Sequence, residues 1–239
     1  MIKFENTEVM NFEGAFRGMR NPLNSWDKSD SIICPNADGF EDCKANNDTC
    51  PRNDENFKKA VFCIGKDDLN LAQRLIKAGS DHRKFLRQIF VCVDIVGPSF
   101  WWPEFDTYKV ATVRNSCSKM HKIHVKSFEK SDFSYEGTDA LITKGDPRLS
   151  AKVRNHVENT LETLEFFRVQ FNETKDKDYW RALIENLPHG YNMRATITLN
   201  YETLRNIYGS RRNHKLDEWS KGFMEWIKSL PYAEELIII

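Results

Sequence analysis

Residues 187–219 read LPHGYNMRATITLNYETLRNIYGSRRNHKLDEW. This stretch predicts a strand over 193–199, a short helix over 201–208 and a basic end, closed by Glu218-Trp219. Asn200 falls just after the strand and before the helix, which is the place of an N-cap. Arg205, Arg211, Arg212, His214 and Lys215 gather at the far end of that helix. Several guanidiniums in one place can neutralise a phosphate dianion. The same pattern is also that of a solvated helix end, where cations meet the C-terminal dipole.

Working outward, the C-terminal segment predicts a helix over about 215–229, stopped before Pro231. Residues 177–186 predict another helix, with Asp176 or Asp178 at its start. Val153, Val157, Leu161, Leu164 and Phe167 recur at spacings of three and four, which predicts a long amphipathic helix over 150–171. Residues 89–96 (IFVCVDIV) are rich in β-branched and aromatic side chains and predict a strand, ended by Pro98. Leu69, Ala72, Leu75 and Ile76 predict a helix from Asp67 to Ala78 with Gly79 as its stop. A shorter helix is expected over His82–Arg87, a strand over 2–10, and a helix over 11–20 capped by Asn11. Residues 21–59 are rich in Asn, Asp, Ser, Pro and Cys and predict a long polar loop or insertion. The mixture is that of one α+β domain spanning 1–239, with a central sheet flanked by long helices.

Bulk composition narrows the function classes. The 239 residues are 40% hydrophobic and 29% charged, as in ordinary globular domains. Lys+Arg and Asp+Glu both number 35, so no global charge points to nucleic acid or to an anionic membrane. Phosphate binding would have to come from a local cluster. No apolar run approaches a membrane span, and the N-terminus lacks a signal-peptide core. The chain is therefore expected in the cytoplasm, bacterial or phage-encoded, with its six cysteines as free thiols. Cys34, Cys43, Cys50 and Cys63 are separated by eight, six and twelve residues, wider than zinc pairs allow, and no metal is expected. Trp101 and Trp102 could stack on a ligand ring, although packing is the commoner use of such residues.

Leu187-Pro188, Asn200, Thr203-Leu204, Asn206, Arg211 or Arg212 and Glu218-Trp219 together resemble the C-terminal signature of the flavin-dependent thymidylate synthases. Leu75-Ile76-Lys77-Ala78-Gly79 resembles the family's helix that ends in Gly before a flavin-contacting loop. The strand 89–96 followed by Gly97-Pro98-Ser99-Phe100 resembles its strand, small residue, Pro and Phe. The match covers about residues 67–120 and 179–225, with an echo at Arg17–Asn21. Counting on from Pro98 brings the family hallmark, Arg-His-Arg-x-x-Ser-x-Asn-Glu-x-Ser-x-Arg, onto residues 107–119. Here it reads Thr107-Tyr108-Lys109, Thr112, Arg114-Asn115, Cys117 and Lys119. A Gln that the family places three residues earlier is Glu104.

The resemblance implies a flavin-dependent thymidylate synthase-like α+β fold and a homotetramer with sites built where subunits meet. It implies reductive methylation of dUMP to dTMP with FAD, NADPH and methylenetetrahydrofolate, the methylene passing through the flavin. It places Lys109, Thr112, Asn115, Asn200 and Asn206 toward the cofactor. It places Glu104, Cys117, Lys119, Arg211 and Arg212 toward a dUMP-like nucleotide. It requires no protein nucleophile, so it assigns Cys117 no catalytic role and leaves the catalytic residues open. Alignment from Asn206 and from Trp219 select different members of the Arg211-Arg212 pair. The hallmark departs from the family at two pairs, Arg-His to Thr107-Tyr108 and Asn-Glu to Arg114-Asn115. Arg does not exchange freely with Lys where a planar bidentate donor is needed. Two other readings therefore stand beside the first: a nucleotide-binding protein that sequesters or senses its ligand, and a flavoenzyme acting on another pyrimidine nucleotide.

Overall fold

The structure, a computed structural model, describes residues 2–33 and 62–239. Cys34, Cys43, Cys50 and most of the expected 21–59 insertion lie outside the described residues. In chain order the elements are β1 (Lys3–Met10), α1 (Phe12–Arg20), β2 (Ile32–Ile33), β3 (Phe62–Cys63), α2 (Lys66–Lys77), β4 (Phe90–Pro98), α3 (Trp102–Phe105) and β5 (Val113–Ser116). There follow α4 (Lys119–Lys122), α5 (Glu136–Thr143), α6 (Ala151–Arg154), α7 (His156–Thr174), α8 (Lys177–Glu185), β6 (Asn192–Asn200), α9 (Tyr201–Arg211) and α10 (Met224–Lys228). The main sheet has the order β1-β4-β6-β5, and β2 and β3 form a separate antiparallel pair. In β4 the buried residues Val91, Val93 and Ile95 alternate with partly exposed ones, and in β6 Met193, Ala195, Ile197 and Leu199 do the same. Period-two burial puts one face of each strand in the core.

The described chain divides into two compact units, one of Met1–Phe4, Asp94–Thr107 and Arg114–Thr196, the other of Glu5–Val93, Tyr108–Val113 and Ile197–Ile239. The first is built on a helical hairpin. Asp176 accepts a hydrogen bond from the Asp178 amide at 2.9 Å and so caps α8, while Lys175, left-handed at φ 59°, turns the chain out of α7. The core here is Ile123, Phe133, Leu164 and Leu183, with Leu161 and Phe167 packed against it. The long helix expected over 150–171 is broken. Asn155 has ψ near 7°, so α6 ends there and α7 starts anew, running on to Thr174. Val153, on the α6 side of the break, is exposed. Trp101 and Trp102 are both buried, Trp101 stacking on Phe105 and Trp102 donating its indole N–H to the Gly97 carbonyl. They serve packing.

In the second unit the sequence expectations hold for β1, α2 and α9 and fail at three details. Asn11 gives α1 no side-chain cap; it is left-handed, and its amide donates to the Gln88 carbonyl at 2.9 Å. The helix expected over His82–Arg87 is a 3-10 turn at Lys84–Gln88. The C-terminal helix is wound as a π-helix over Glu218–Phe223 before it tightens into α10. Gly79, at φ 109°, stops α2 as expected. The part of the 21–59 segment that is described, 21–33, is not a plain loop. It holds two 3-10 turns, and Asp30 accepts from the Asp67 and Asp68 amides, capping α2 from a distance in sequence.

That segment also closes over a buried ion pair. Arg20 Nε donates to Asp68 Oδ1 at 2.6 Å, and both residues are buried. Ser29 and Ser31 hydroxyls donate to the other carboxylate oxygen at 2.7 and 2.5 Å. Burial pushes the Asp68 carboxyl up, but the bonds from Ser31, Ser29 and Arg20 together outweigh it and leave the group below its ordinary value. A depressed carboxylate contributes stability above its unfolded value of about 3.9, and that contribution is lost as pH falls through the lower folded value. Unfolding in urea should therefore become easier below about pH 4. Arg20→Met should cost about 3–5 kcal/mol at neutral pH by leaving Asp68 buried without its cation, and a change of under 1 kcal/mol would show the pair to be dispensable.

Candidate functional site

The ten residues marked by the sequence divide between the two units. In the second unit, α9 starts without a loop after β6. Asn200 Oδ1 accepts from the Thr203 amide at 2.9 Å, so the cap allowed by the sequence is formed and this oxygen is engaged in it. The segment Tyr108–Val113, which carries Lys109 and Thr112, is pinned to α9 at both ends of the helix. Thr203 Oγ1 donates to the Val110 carbonyl at 3.3 Å, and Arg211 Nε donates to the Tyr108 hydroxyl at 2.7 Å. The Arg211 guanidinium also lies over the rings of Tyr108 and Trp219, at 5.5 and 5.3 Å from their centroids. Arg211 is thus held in one orientation, whereas Arg212 is exposed. Lys109 and Asn206 are exposed, and the Thr112 hydroxyl is buried without a hydrogen-bond partner. Between them Ala111 sits at φ 58°, a left-handed conformation that costs a residue with a Cβ about 1–2 kcal/mol.

In the first unit lie Glu104 on α3, Asn115 exposed on β5, Cys117 just beyond it and Lys119 at the start of α4. The sequence predicted no strand here; four residues as polar as Val113–Ser116 give too short a pattern to read. The Cys117 amide donates to the Arg194 carbonyl at 2.9 Å, which continues the β5–β6 pairing. The acquired Arg114 is occupied locally, paired with Asp106 at 2.9 Å and lying 4.8 Å over Trp102.

Cys117 and Lys119 open onto a cavity of about 220 Å³. Lys122, Lys126, Arg194 and Asp132 line it as well, with Phe128 and Tyr191 as an aromatic wall. The sequence marked none of these six; Lys122 and Lys126 were open to notice as a run of spaced lysines after Lys119, but Arg194 and Tyr191 arrive from the β6 side of the fold. Glu104 and Asn115 are not among the lining residues. The volume is below the roughly 300–1,000 Å³ typical of whole-ligand pockets and suits one end of a ligand. The Tyr191 phenol is pushed up by burial, and by Asp132 and Cys117 nearby, so it stays a neutral hydrogen-bonding group.

Two solved structures share this fold across nearly the whole of both chains. Thymidylate Synthase X (ThyX) from Helicobacter pylori, crystallised with FAD and dUMP, superposes with a TM-score of 0.62 at 14% identity, covering 99% of this chain and 97% of its own. The fold is that of a flavin-dependent thymidylate synthase. A second structure of the flavin-dependent ThyX of Helicobacter pylori, complexed with FAD and dUMP, gives the same score and identity over 98% and 97%. No family model matches the chain, and no curated protein matches it. Among the described residues no cluster of His, Cys, Asp and Glu is placed to hold a metal ion, and no helix is long and apolar enough to cross a membrane. Cys92 and Cys117 are free thiols.

Tyr108→Phe removes the acceptor of the Arg211 Nε bond while keeping the ring. Bonds to charged groups are worth about 1.5–3 kcal/mol, and partial exposure of Arg211 brings the expected loss to the lower end of that range. Chemical denaturation of the variant measures it; an unchanged midpoint would mean that the Tyr108 bond is not needed to hold Arg211.

Proposed function

We propose that this chain is a flavin-dependent thymidylate synthase-like enzyme, which methylates dUMP reductively to dTMP with methylenetetrahydrofolate and NADPH. The observation that carries the reading is the cationic cavity. On a fold whose solved examples bind dUMP, two residues assigned to the nucleotide by their position in the sequence, Cys117 and Lys119, line one concave site. Its lysines suit a phosphate, and its size suits the phosphate end of a nucleotide. Of the two candidate arginines we assign Arg211 to the nucleotide, because a guanidinium whose plane is already fixed loses less freedom on binding. Subunits would complete one another's sites in a homotetramer.

The residues fit FAD in part. Thr112 has a buried hydroxyl that lacks a partner, and Lys109, Asn115 and Asn206 are exposed donors. Asn200 has its amide nitrogen to offer, its oxygen being engaged at the helix start. Bound flavin would supply the redox chemistry and carry the methylene; the chain's own residues would orient nucleotide and cofactor and balance charge.

One observation favours a second reading. Where the family has Arg-His this chain has Thr107-Tyr108, and the Tyr108 hydroxyl accepts from Arg211. A protein that keeps the nucleotide and has lost the flavin would sequester or sense dUMP. Incubation with FAD, desalting, and a visible spectrum with and without dUMP separates the two. A retained flavin spectrum that shifts with dUMP is the expected result. Colourless protein that still binds dUMP by calorimetry selects the second reading, and protein that binds neither ends both. Arg211→Ala with Arg212→Ala should weaken dUMP binding at least tenfold, and unchanged affinity would remove both arginines from the site.

A further inference from the structure

We infer that Lys122 is a second phosphate contact, acting with Lys119 as a two-lysine clamp on the nucleotide's phosphate; the inference rests on the nucleotide reading above. Four cations line the cavity, and two of them are already engaged. Lys126 pairs with Asp132 at 3.4 Å and with Glu129 at 3.9 Å, and Arg194 lies 3.8 Å from Asp94. Among the described residues Lys119 and Lys122 make no ion pair. They stand three apart on α4, where like charges face each other and repel. An anion between them turns that repulsion into attraction. Their two charges match a phosphomonoester, which carries about −1.5 to −2 at pH 7.

The pair is also held in place. The His121 amide donates to the Ser118 hydroxyl at 3.2 Å, Trp180 Nε1 donates to the Met120 carbonyl at 3.2 Å, and Asn172 donates to the His124 carbonyl at 2.9 Å. A helix of four residues has little stability of its own. The Ser118 cap and the bonds from α8 to α4 and from α7 to the residue just beyond it fix its backbone, so the two ammonium groups work from a fixed base with only their own stems to order. Lys is suited to this task, since an ammonium binds phosphate as a point charge without requiring a bidentate plane.

Calorimetry with dUMP and with deoxyuridine tests the clamp. Lys122→Gln is expected to weaken dUMP about tenfold or more, by a factor similar to that of Lys119→Gln, with deoxyuridine binding unmoved and with affinity restored in Lys122→Arg. Affinity for dUMP should also fall as pH drops below about 6, where the phosphate takes up its second proton. Lys122 is exposed, so the substitution should leave the fold intact, and circular dichroism checks that. If Lys122→Gln binds dUMP as the parent does while Lys119→Gln does not, the clamp is overturned and the nucleotide reading stands. A parent protein that fails to bind dUMP at all overturns both.

Discussion

Strand β6 ends where helix α9 begins, and one side chain makes the change of geometry possible. A strand residue that becomes a helix N-cap must keep extended angles and still satisfy the first helical amides. Asn200 does so at φ −133° and ψ 170°, with its oxygen on the Thr203 amide. Because no loop intervenes, the register of β6 dictates the rotation of α9. Tyr201 follows, buried, with its amide on the Ile89 carbonyl and its hydroxyl on the Pro231 carbonyl at 2.6 Å. Burial raises the pKa of that phenol well above its ordinary value, so it remains a donor across the accessible range. From this fixed start, Thr203 and Arg211 hold the 108–113 segment at the two ends of one helix. An arginine placed by a helix of fixed rotation and clamped by two aromatic rings is more sharply positioned than one on a free helix end.

The other unit solves a similar problem in the opposite way. There the residues of interest sit on a short element with no strength of its own. Helix α4 persists because its carbonyls and those just beyond it accept bonds from Trp180 and Asn172 on the helical hairpin. The hairpin is stable for ordinary reasons: a capped turn and a closed apolar core. A functional segment can thus be irregular and polar while its position is inherited from a rigid support.

This contrast explains what could be read in the sequence. Strands β4 and β6 and helices α2, α8 and α9 carry their own local signals, in apolar spacing, in Gly79 and in Asp176, and they were legible to within three residues. So was the fold itself, because the Leu187–Trp219 signature follows those same elements. The break at Asn155 was not legible, since apolar spacing continues across it and only the backbone angle reveals the stop. Nor was the failure of Asn11 as a cap, because its amide is drawn to the Gln88 carbonyl, 77 residues away in sequence. The cavity was half legible. Cys117 and Lys119 came from the hallmark, whereas Arg194 and Tyr191 enter through strand pairing, which no local pattern encodes. Arg114 stood out as a departure from the hallmark, yet the structure engages it with Asp106 and Trp102.

The distribution of the two kinds of cation follows from their chemistry. Arginines hold the carboxylates that shape the fold: Arg20 with Asp68, Arg83 with both oxygens of Glu202, Arg168 with Glu165, Arg114 with Asp106. A planar fork with several donors can satisfy a carboxylate in partial burial, where an ammonium would leave lone pairs unmet. The cavity has lysines at 119, 122 and 126 beside Arg194, which itself lies against the Asp94 carboxylate, and one of those lysines stands at the hallmark position where the family has Arg. A lysine gives up planar selectivity and gains reach, for its charge can follow a phosphate that is not rigidly presented. Such a site selects for charge and for where that charge sits more than for the geometry of the group carrying it. In a chain with no net charge, that separation of roles is what leaves a local surplus of positive charge at the cavity.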